Sequence, residues 1–394
     1  MDARIDGLRG GRTRLHVVRP WGYPARFNTP RQSRHIITTR RWLPLHRLWQ
    51  PLEVALILMP GPRPDLIASF NRIPLGPTPF VISFESHLPR LFGHERSAAF
   101  RFFRNRLVQE GCRQIIPISQ HARRLFLRQH RDSPDLALLS AKASEVIYPS
   151  VDLGPARRDE EASGHGDLQA VFVGNHFSRK GGLAVLAAAE QALRQHLPIR
   201  FHIVSDLTVG GRNHVWTDPP DPDFFAADLA RTGLANVTLH GPLPHSKVLA
   251  LLRRSDVALL PTLCDTFGYF VLEALAAGLP VIATGAYALP EIIRPGQTGV
   301  LLQMQTDAKG EWIGLARRDK DSAAYGKLYR DTVQDLAEQM LKALERLLDD
   351  PANLARMGRA ARADAAARFD GGRHAARLDQ LYEDALRGQP VMGW

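Results

Sequence analysis

The sequence is short of several things that would place it at once. Only two of its 394 residues are cysteine, Cys112 and Cys264. Two thiols so far apart make neither a disulfide framework nor a metal-ligand spacing, and such cysteine poverty suits a reducing cytosol. The longest apolar run, VALILM from Val54 to Met59, falls far below the roughly 20 residues that a bilayer-spanning helix needs. The opening MDARIDGLRGGRTRLHVV contains no apolar core of signal-peptide length. A cytoplasmic location is therefore expected. There is no G-x-G-x-x-G and no complete Walker A pattern, which argues against an ordinary dinucleotide or NTPase loop.

Acidic residues are scarce in the first part of the chain. Residues 1–150 hold 24 Lys and Arg against 10 Asp and Glu, so the net charge of +11 arises entirely there. A basic field of this kind favours an anionic partner such as a phosphate-bearing lipid, a nucleic acid or an acidic glycan. A solvated Arg-rich surface has the same composition, and charge alone does not choose. Aromatic residues interleave with Arg in RWLPLHRLW and RFFRNR, but no nucleic-acid-binding motif surrounds them, so nucleic acid is not an expected partner. Peripheral contact with an anionic membrane at its inner face is one expectation that this charge allows.

What is present is ordinary globular material, 44% hydrophobic and 23% charged, long enough for two domains. In the second half short β-branched runs alternate with helical ones. QAVFVG, IRFHIVS, NVTLHG, DVALLPT, PVIAT and TGVLLQ read as strands; residues 181–196, 224–232, 244–255 and the run YFVLEALAAG read as helices. This alternation predicts right-handed βαβ crossovers and a parallel, doubly wound sheet. Helices from about 332 to 349, 351 to 368 and 372 to 386 follow, with residues 303–326 reading as an insertion before them. In the first half RLHVVRP, VALILMPG, DLIASF, PFVISFE and QIIPIS look like strand cores, with helices over about 97–109 and 122–131, giving a second α/β domain. The polar, Gly-rich stretch 154–167 reads as the linker, so the expected domains are 1–160 and 161–371.

Two stretches carry chemistry. In DTFGYFVLEALAAGLPVIATG, Asp265 and Glu273 stand eight positions apart, the second inside a helix that is apolar all round. An unpaired buried carboxylate is costly, so Glu273 must meet donors; sugar hydroxyls, neighbouring backbone or an Arg would all serve. Gly268 permits close backbone approach, and the helix that starts there offers free N–H groups and a positive dipole end to an anion. In VFVGNHFSRKGG, Gly174 allows a tight turn after a strand, and Arg179 and Lys180 stand where a diphosphate would approach the next helix. A solvated basic loop has the same appearance. His176, His240 and His245 read as ordinary polar or capping residues.

In order, these pieces resemble the donor domain of retaining GT-B glycosyltransferases, specifically glycosyltransferase family 4, the glycosyl transferases group 1. VGN, KGG, VTLHG, SDVALLPT, the acid-x7-acid pair Asp265 and Glu273, FG, LEA, AxGxPVIA and PEII with a following Gly occupy residues 169–303; IIPISQHARRLF and VIYPSVDL extend the likeness back to about Gln114. The resemblance implies two facing Rossmann-like doubly wound domains with a cleft between them, with residues 372–394 crossing back to the first. It implies a hexosyltransferase moving a sugar from a nucleotide-diphosphate sugar to an acceptor hydroxyl of a polysaccharide or lipid-linked glycan, with no cofactor and no metal. Glu273 would accept from the ribose hydroxyls. Asp265, with Thr266 and the Phe267, Gly268 and Tyr269 turn, would hold the transferred sugar and phosphates. Gly174 and Asn175 would line the donor loop, and Lys180 and Arg179 would neutralise the diphosphate. Glu85 or His87, in VISFESHLP, would stand where the family has a His-Asp pair near the sugar. Three departures are visible: Asn175 replaces the usual Arg after the Gly, Asp265 replaces Glu, and RPWGYPARFNTP stands where the family has an early Gly-Gly loop. A GT-B epimerase or hydrolase, and a non-catalytic subunit with a degenerate donor site, are the competing readings.

Overall fold

The computed structural model describes residues 14–22, 25–47, 49–155, 166–210 and 217–387. They form two compact units. The first comprises residues 14–150 together with the helix Gly371–Arg387. Its strands are β1 (His16–Pro20), β2 (Ile36–Arg40), β3 (Ala55–Leu56), β4 (Leu66–Phe70), β5 (Ile73–Pro74), β6 (Phe80–Phe84) and β7 (Cys112–Pro117). Five make a parallel sheet in the order β2-β1-β4-β6-β7, and β3 pairs with β5 apart from it. Leaving out that small ladder, the order is 2-1-3-4-5, one of the common doubly wound arrangements.

Both faces of this sheet are covered, which is why its strands read as near-continuous apolar runs. Phe80, Ile82, Phe84 and Ile115 pack under the helices Ala98–Val108 and Gln120–Gln129, through Phe100, Phe103, Leu107 and Phe126. Ser97 and Ser119 cap those helices, accepting from Phe100 N at 3.1 Å and Ala122 N at 2.9 Å. On the opposite face Val17, Leu66, Val81 and Ile116 pack against Leu378, Leu381, Tyr382 and Ala385 of the helix Gly371–Arg387. The apolar face of that helix has its complement on this sheet, and Asp379 fastens it by accepting from Arg34 N at 2.8 Å. Strand β2 and the helix Leu136–Lys142 were not legible in the sequence. β2 is an edge strand without a fully buried residue, so it lacks the apolar signal.

The second unit runs from Val151 to Asp370. Its strands are β8 (Leu168–Val173), β9 (Ile199–Val204), β10 (Val237–Leu239), β11 (Val257–Leu260), β12 (Val281–Thr284) and β13 (Gly299–Leu302). They form one parallel sheet in the order β10-β9-β8-β11-β12-β13. Counted within the unit this is 3-2-1-4-5-6, the Rossmann order. Residues 151–155 belong here rather than to a linker: Val151 N donates to the Phe369 carbonyl at 2.9 Å, and Arg362 donates to the Gly154 carbonyl at 2.8 Å. The rest of the expected linker, 156–165, lies outside the described residues.

Two elements differ from the sequence expectation. The helix expected over 224–232 is broken into 3-10 and α pieces between Pro222 and Gly233. The helix expected from about 332 begins at Ala323, capped by Ser322, which accepts from Tyr325 N at 3.1 Å. The segment before it, 303–322, is not a loose insertion. Trp312 is 1% exposed and sits against Tyr325 and Tyr329. Its amide donates to Tyr287 Oη at 3.2 Å, and Tyr287 Oη donates to the Leu263 carbonyl at 2.7 Å. The segment thus braces the loop that follows β11. Trp312→Ala should lower the unfolding free energy by about 3–5 kcal/mol, the usual cost of emptying a large aromatic site. Urea unfolding would measure it, and a loss below about 1 kcal/mol would show that Trp312 does not brace the unit.

Candidate functional site

In a doubly wound sheet the chain leaves neighbouring strands in opposite directions at one place, and ligands bind beyond the carboxyl ends of those two strands. In the second unit they are β8 and β11. The loop after β8 carries Gly174 to Gly181, and the loop after β11 carries Pro261 to Gly268.

The two loops are joined through the backbone of Arg179. Its carbonyl accepts from Leu263 N at 2.9 Å and from Thr262 Oγ1 at 2.9 Å. Its guanidinium donates to the Cys264 carbonyl. Gly181 makes the approach possible: it has φ +89°, and a Cβ there would lie 1.9 Å from the Pro261 carbonyl oxygen. No other residue fits without moving backbone.

The contact delivers Lys180 to Asp265. Lys180 Nζ and Asp265 Oδ2 form an ion pair, and Asp265 Oδ1 accepts from Gly268 N at 3.1 Å and Phe267 N at 3.3 Å. One carboxylate therefore holds a cation with one oxygen and the backbone ahead of a helix with the other. Burial alone would raise the Asp265 carboxyl, but the Lys180 ammonium and the Arg179 guanidinium outweigh it and keep the group below the usual carboxylate range. Gly268, at φ +85°, turns the chain into the helix Tyr269–Ala277, whose first N–H groups open beside this pair.

Glu273 lies on that helix and is 8% exposed. Its Oε1 meets His245 Nε2 at 2.7 Å. The expectation that His245 is an ordinary polar or capping residue is corrected here. It is the first residue of the helix His245–Arg254 and the close partner of the buried acid. No local pattern marks this pair: residues 28 positions apart meet only because β11 and its flanking helices bring them together.

Gly174, Arg179, Lys180, Asp265, Thr266, Phe267 and Gly268 are thus gathered on the two loops, Tyr269 heads the helix that follows, and Glu273 lies just over a turn further in. Asn175 stands exposed at the start of the β8 loop. Glu85 and His87 belong to the first unit, just beyond β6. Glu85 accepts from Asn71 Nδ2 at 3.1 Å and Arg90 at 2.9 Å, and the His87 ring meets Phe92 edge-on at 5.3 Å.

A further residue gave no sequence signal. Asp218 is buried and accepts from Ser178 Oγ, from Gly210 N at 2.7 Å and from Thr217 Oγ1 at 3.1 Å. Burial raises its carboxyl despite these donors. It tethers Ser178 in the β8 loop to the irregular stretch after β9, where no periodicity marks any position. Residues 211–216 of that stretch lie outside the described residues. Among the described residues no three His, Cys, Asp or Glu side chains come together as a metal site.

Residues 167–312 match the family described as glycosyl transferases group 1. Over 278 residues the chain is 27% identical to a D-inositol 3-phosphate glycosyltransferase of Catenulispora acidiphila, covering 68% of this chain and 58% of that protein. Over 225 residues it is 36% identical to a glycogen synthase of Mycobacterium tuberculosis, covering 57% of this chain and 44% of that one. The chain therefore spans about half the length of these curated relatives. Among solved structures, a glycosyltransferase of Rickettsia africae superposes with a TM-score of 0.61 at 13% identity, over 96% of this chain and 100% of that one. Anabaena Alr3699/HepE in complex with UDP-glucose superposes with a TM-score of 0.56 at 17% identity, over 89% and 86%. Residues 167–312 thus match the glycosyl transferases group 1 domain, and the chain has the two Rossmann-like α/β units of the GT-B glycosyltransferases.

Proposed function

We propose that the chain is a retaining glycosyltransferase of family 4, transferring a hexose from a nucleotide-diphosphate sugar to an acceptor hydroxyl in bacterial polysaccharide or lipid-linked glycan synthesis. The observation that carries the reading is the meeting of Lys180, Asp265 and Arg179 at the β8/β11 switch point, one turn from the buried Glu273. A diphosphate arriving there finds two cations and the positive end of the helix Tyr269–Ala277. Lys180 would exchange part of its hold on Asp265 for the β-phosphate. Glu273, held by His245, would accept from the ribose hydroxyls.

In the proposed step the bond from the anomeric carbon to the diphosphate breaks and the bond to the acceptor oxygen forms on the same face. The acceptor proton passes to the departing β-phosphate oxygen, so no protein nucleophile is required. Preorganised charge and positioning would supply most of the acceleration. Lys180 and Arg179 would neutralise the leaving group, which leaves no role for a resident metal. The UDP and UDP-glucose in the HepE structures make UDP-glucose the first donor to test. The relatives' names support a polyol or glycan hydroxyl as acceptor. The basic surplus of residues 1–150 supports contact with an anionic membrane face; no helix among the described residues is long and apolar enough to cross one.

Glu273→Ala should weaken nucleotide affinity roughly tenfold or more, the cost of losing charge-assisted hydrogen bonds. Unchanged UDP affinity by calorimetry would overturn the reading. Lys180→Ala should lower kcat by about two to three orders of magnitude, as for loss of one preorganised charge-stabilising group, measured as sugar transfer. Donor turnover that needs no acceptor would point to a hydrolase or epimerase instead. Activity should survive EDTA; its loss, with rescue by a divalent cation, would refute the metal-free scheme.

A further inference from the structure

The first unit has its own switch point, between β1 and β4, and a cavity of about 50 Å³ opens there. Arg19, at the end of β1, and Arg72, just after β4, both line it, together with Thr29, Ser69 and Ser83. Among the described residues no carboxylate lines it. Among the described residues Arg19 donates to Thr29 Oγ1, at 3.4 Å. Arg72 lies over the Trp42 ring at 4.2 Å and touches the outlying Glu53 at 3.4 Å, while its Nε is buried without a hydrogen-bond partner. Burial lowers the pKa of both guanidiniums. Two half-buried cations, one already touching Glu53, share one cavity, and an anion there would pair with both.

We infer that this cavity seats the phosphate of a phosphate-bearing polyol or sugar, the acceptor of the transfer proposed above. The size fits. One water takes roughly 10–15 Å³ of such space, so a phosphoryl group is accommodated and a pyranose is not. The remainder of the ligand would lie outside, where Trp21, 71% exposed, lines the rim with an apolar face. The loop RPWG, which replaces the family's early Gly-Gly turn, thereby acquires a role: it supplies one cation and one ring to the same ligand. Guanidiniums suit phosphate because their paired N–H groups match two of its oxygens. The inference rests on the glycosyltransferase reading only for the word acceptor; the anion site stands on its own geometry.

The test is calorimetric titration of the full chain, with and without saturating UDP. One arm uses inorganic phosphate and glucose 6-phosphate; the other uses vesicles of phosphatidic acid against phosphatidylcholine. Binding in the first arm assigns a free sugar phosphate and binding confined to the second assigns a lipid phosphate, provided it depends on the two arginines. Arg19→Gln and Arg72→Gln should each weaken that binding roughly tenfold, with UDP affinity unchanged. Arg63→Gln, on the exposed surface, should do nothing. Should Arg72→Gln melt early, Arg72→Lys keeps the charge while losing the paired geometry and should still weaken binding. Absence of phosphate binding in both arms, or binding indifferent to Arg19 and Arg72, overturns the inference. If UDP fails to bind the unaltered chain while arginine-dependent phosphate binding persists, the donor reading falls and the anion site remains.

Discussion

The second unit depends on one close approach, the backbone of Gly181 against the carbonyl of Pro261. Without it the loops after β8 and β11 could not share the Arg179 carbonyl as a common acceptor, and Lys180 would not reach Asp265. The approach is steric before it is electrostatic. A missing Cβ lets two strand ends converge, and convergence brings a cation, an anion and a helix start into one place. The ion pair then fixes the charge balance that a diphosphate would perturb.

Around that contact the rest of the unit acts as a brace. Asp218 ties the first loop down from one side through Ser178. Tyr287 ties the second from the other, through the Leu263 carbonyl, and is itself held by Trp312. Both braces come from segments without regular secondary structure. Their buried polar groups are satisfied by one another, which is what allows irregular chain to remain inside the fold. The buried Glu273 follows the same rule, with His245 as its internal donor.

The first unit repeats the logic with different chemistry. Its sheet also has a switch point, but there the end of β1 supplies Arg19 and the following loop Trp21, and among the described residues the cavity is lined by two guanidiniums and no carboxylate. The helix Gly371–Arg387 packs on one face of that sheet, and its middle turns line the same cavity through Leu378 and Tyr382. A segment distant in sequence thus shapes a site near the start of the chain.

The alternation of β-branched and helical runs was enough to specify the second unit's strands, since parallel strands covered on both faces are written as uninterrupted apolar segments. Gly268 was legible for a local reason: at positive φ it turns the chain into the next helix, whereas Gly174 keeps ordinary backbone and sits against Lys180. The acid inside YFVLEALAAG was conspicuous because a helix without a polar face has no cheap place for a carboxylate. The edge strand Ile36–Arg40 was invisible because it buries little. The true start of the helix Ala323–Asp349 was hidden by Gly326 in its first turn, a weak helix former behind a polar loop. Only the tertiary structure could show that His245 meets Glu273, that Trp312 supports Leu263 through Tyr287, and that Arg19 and Arg72 share a cavity. Each of those contacts joins residues many positions apart, and no local pattern encodes a pairing that exists only after the sheet has ordered its strands.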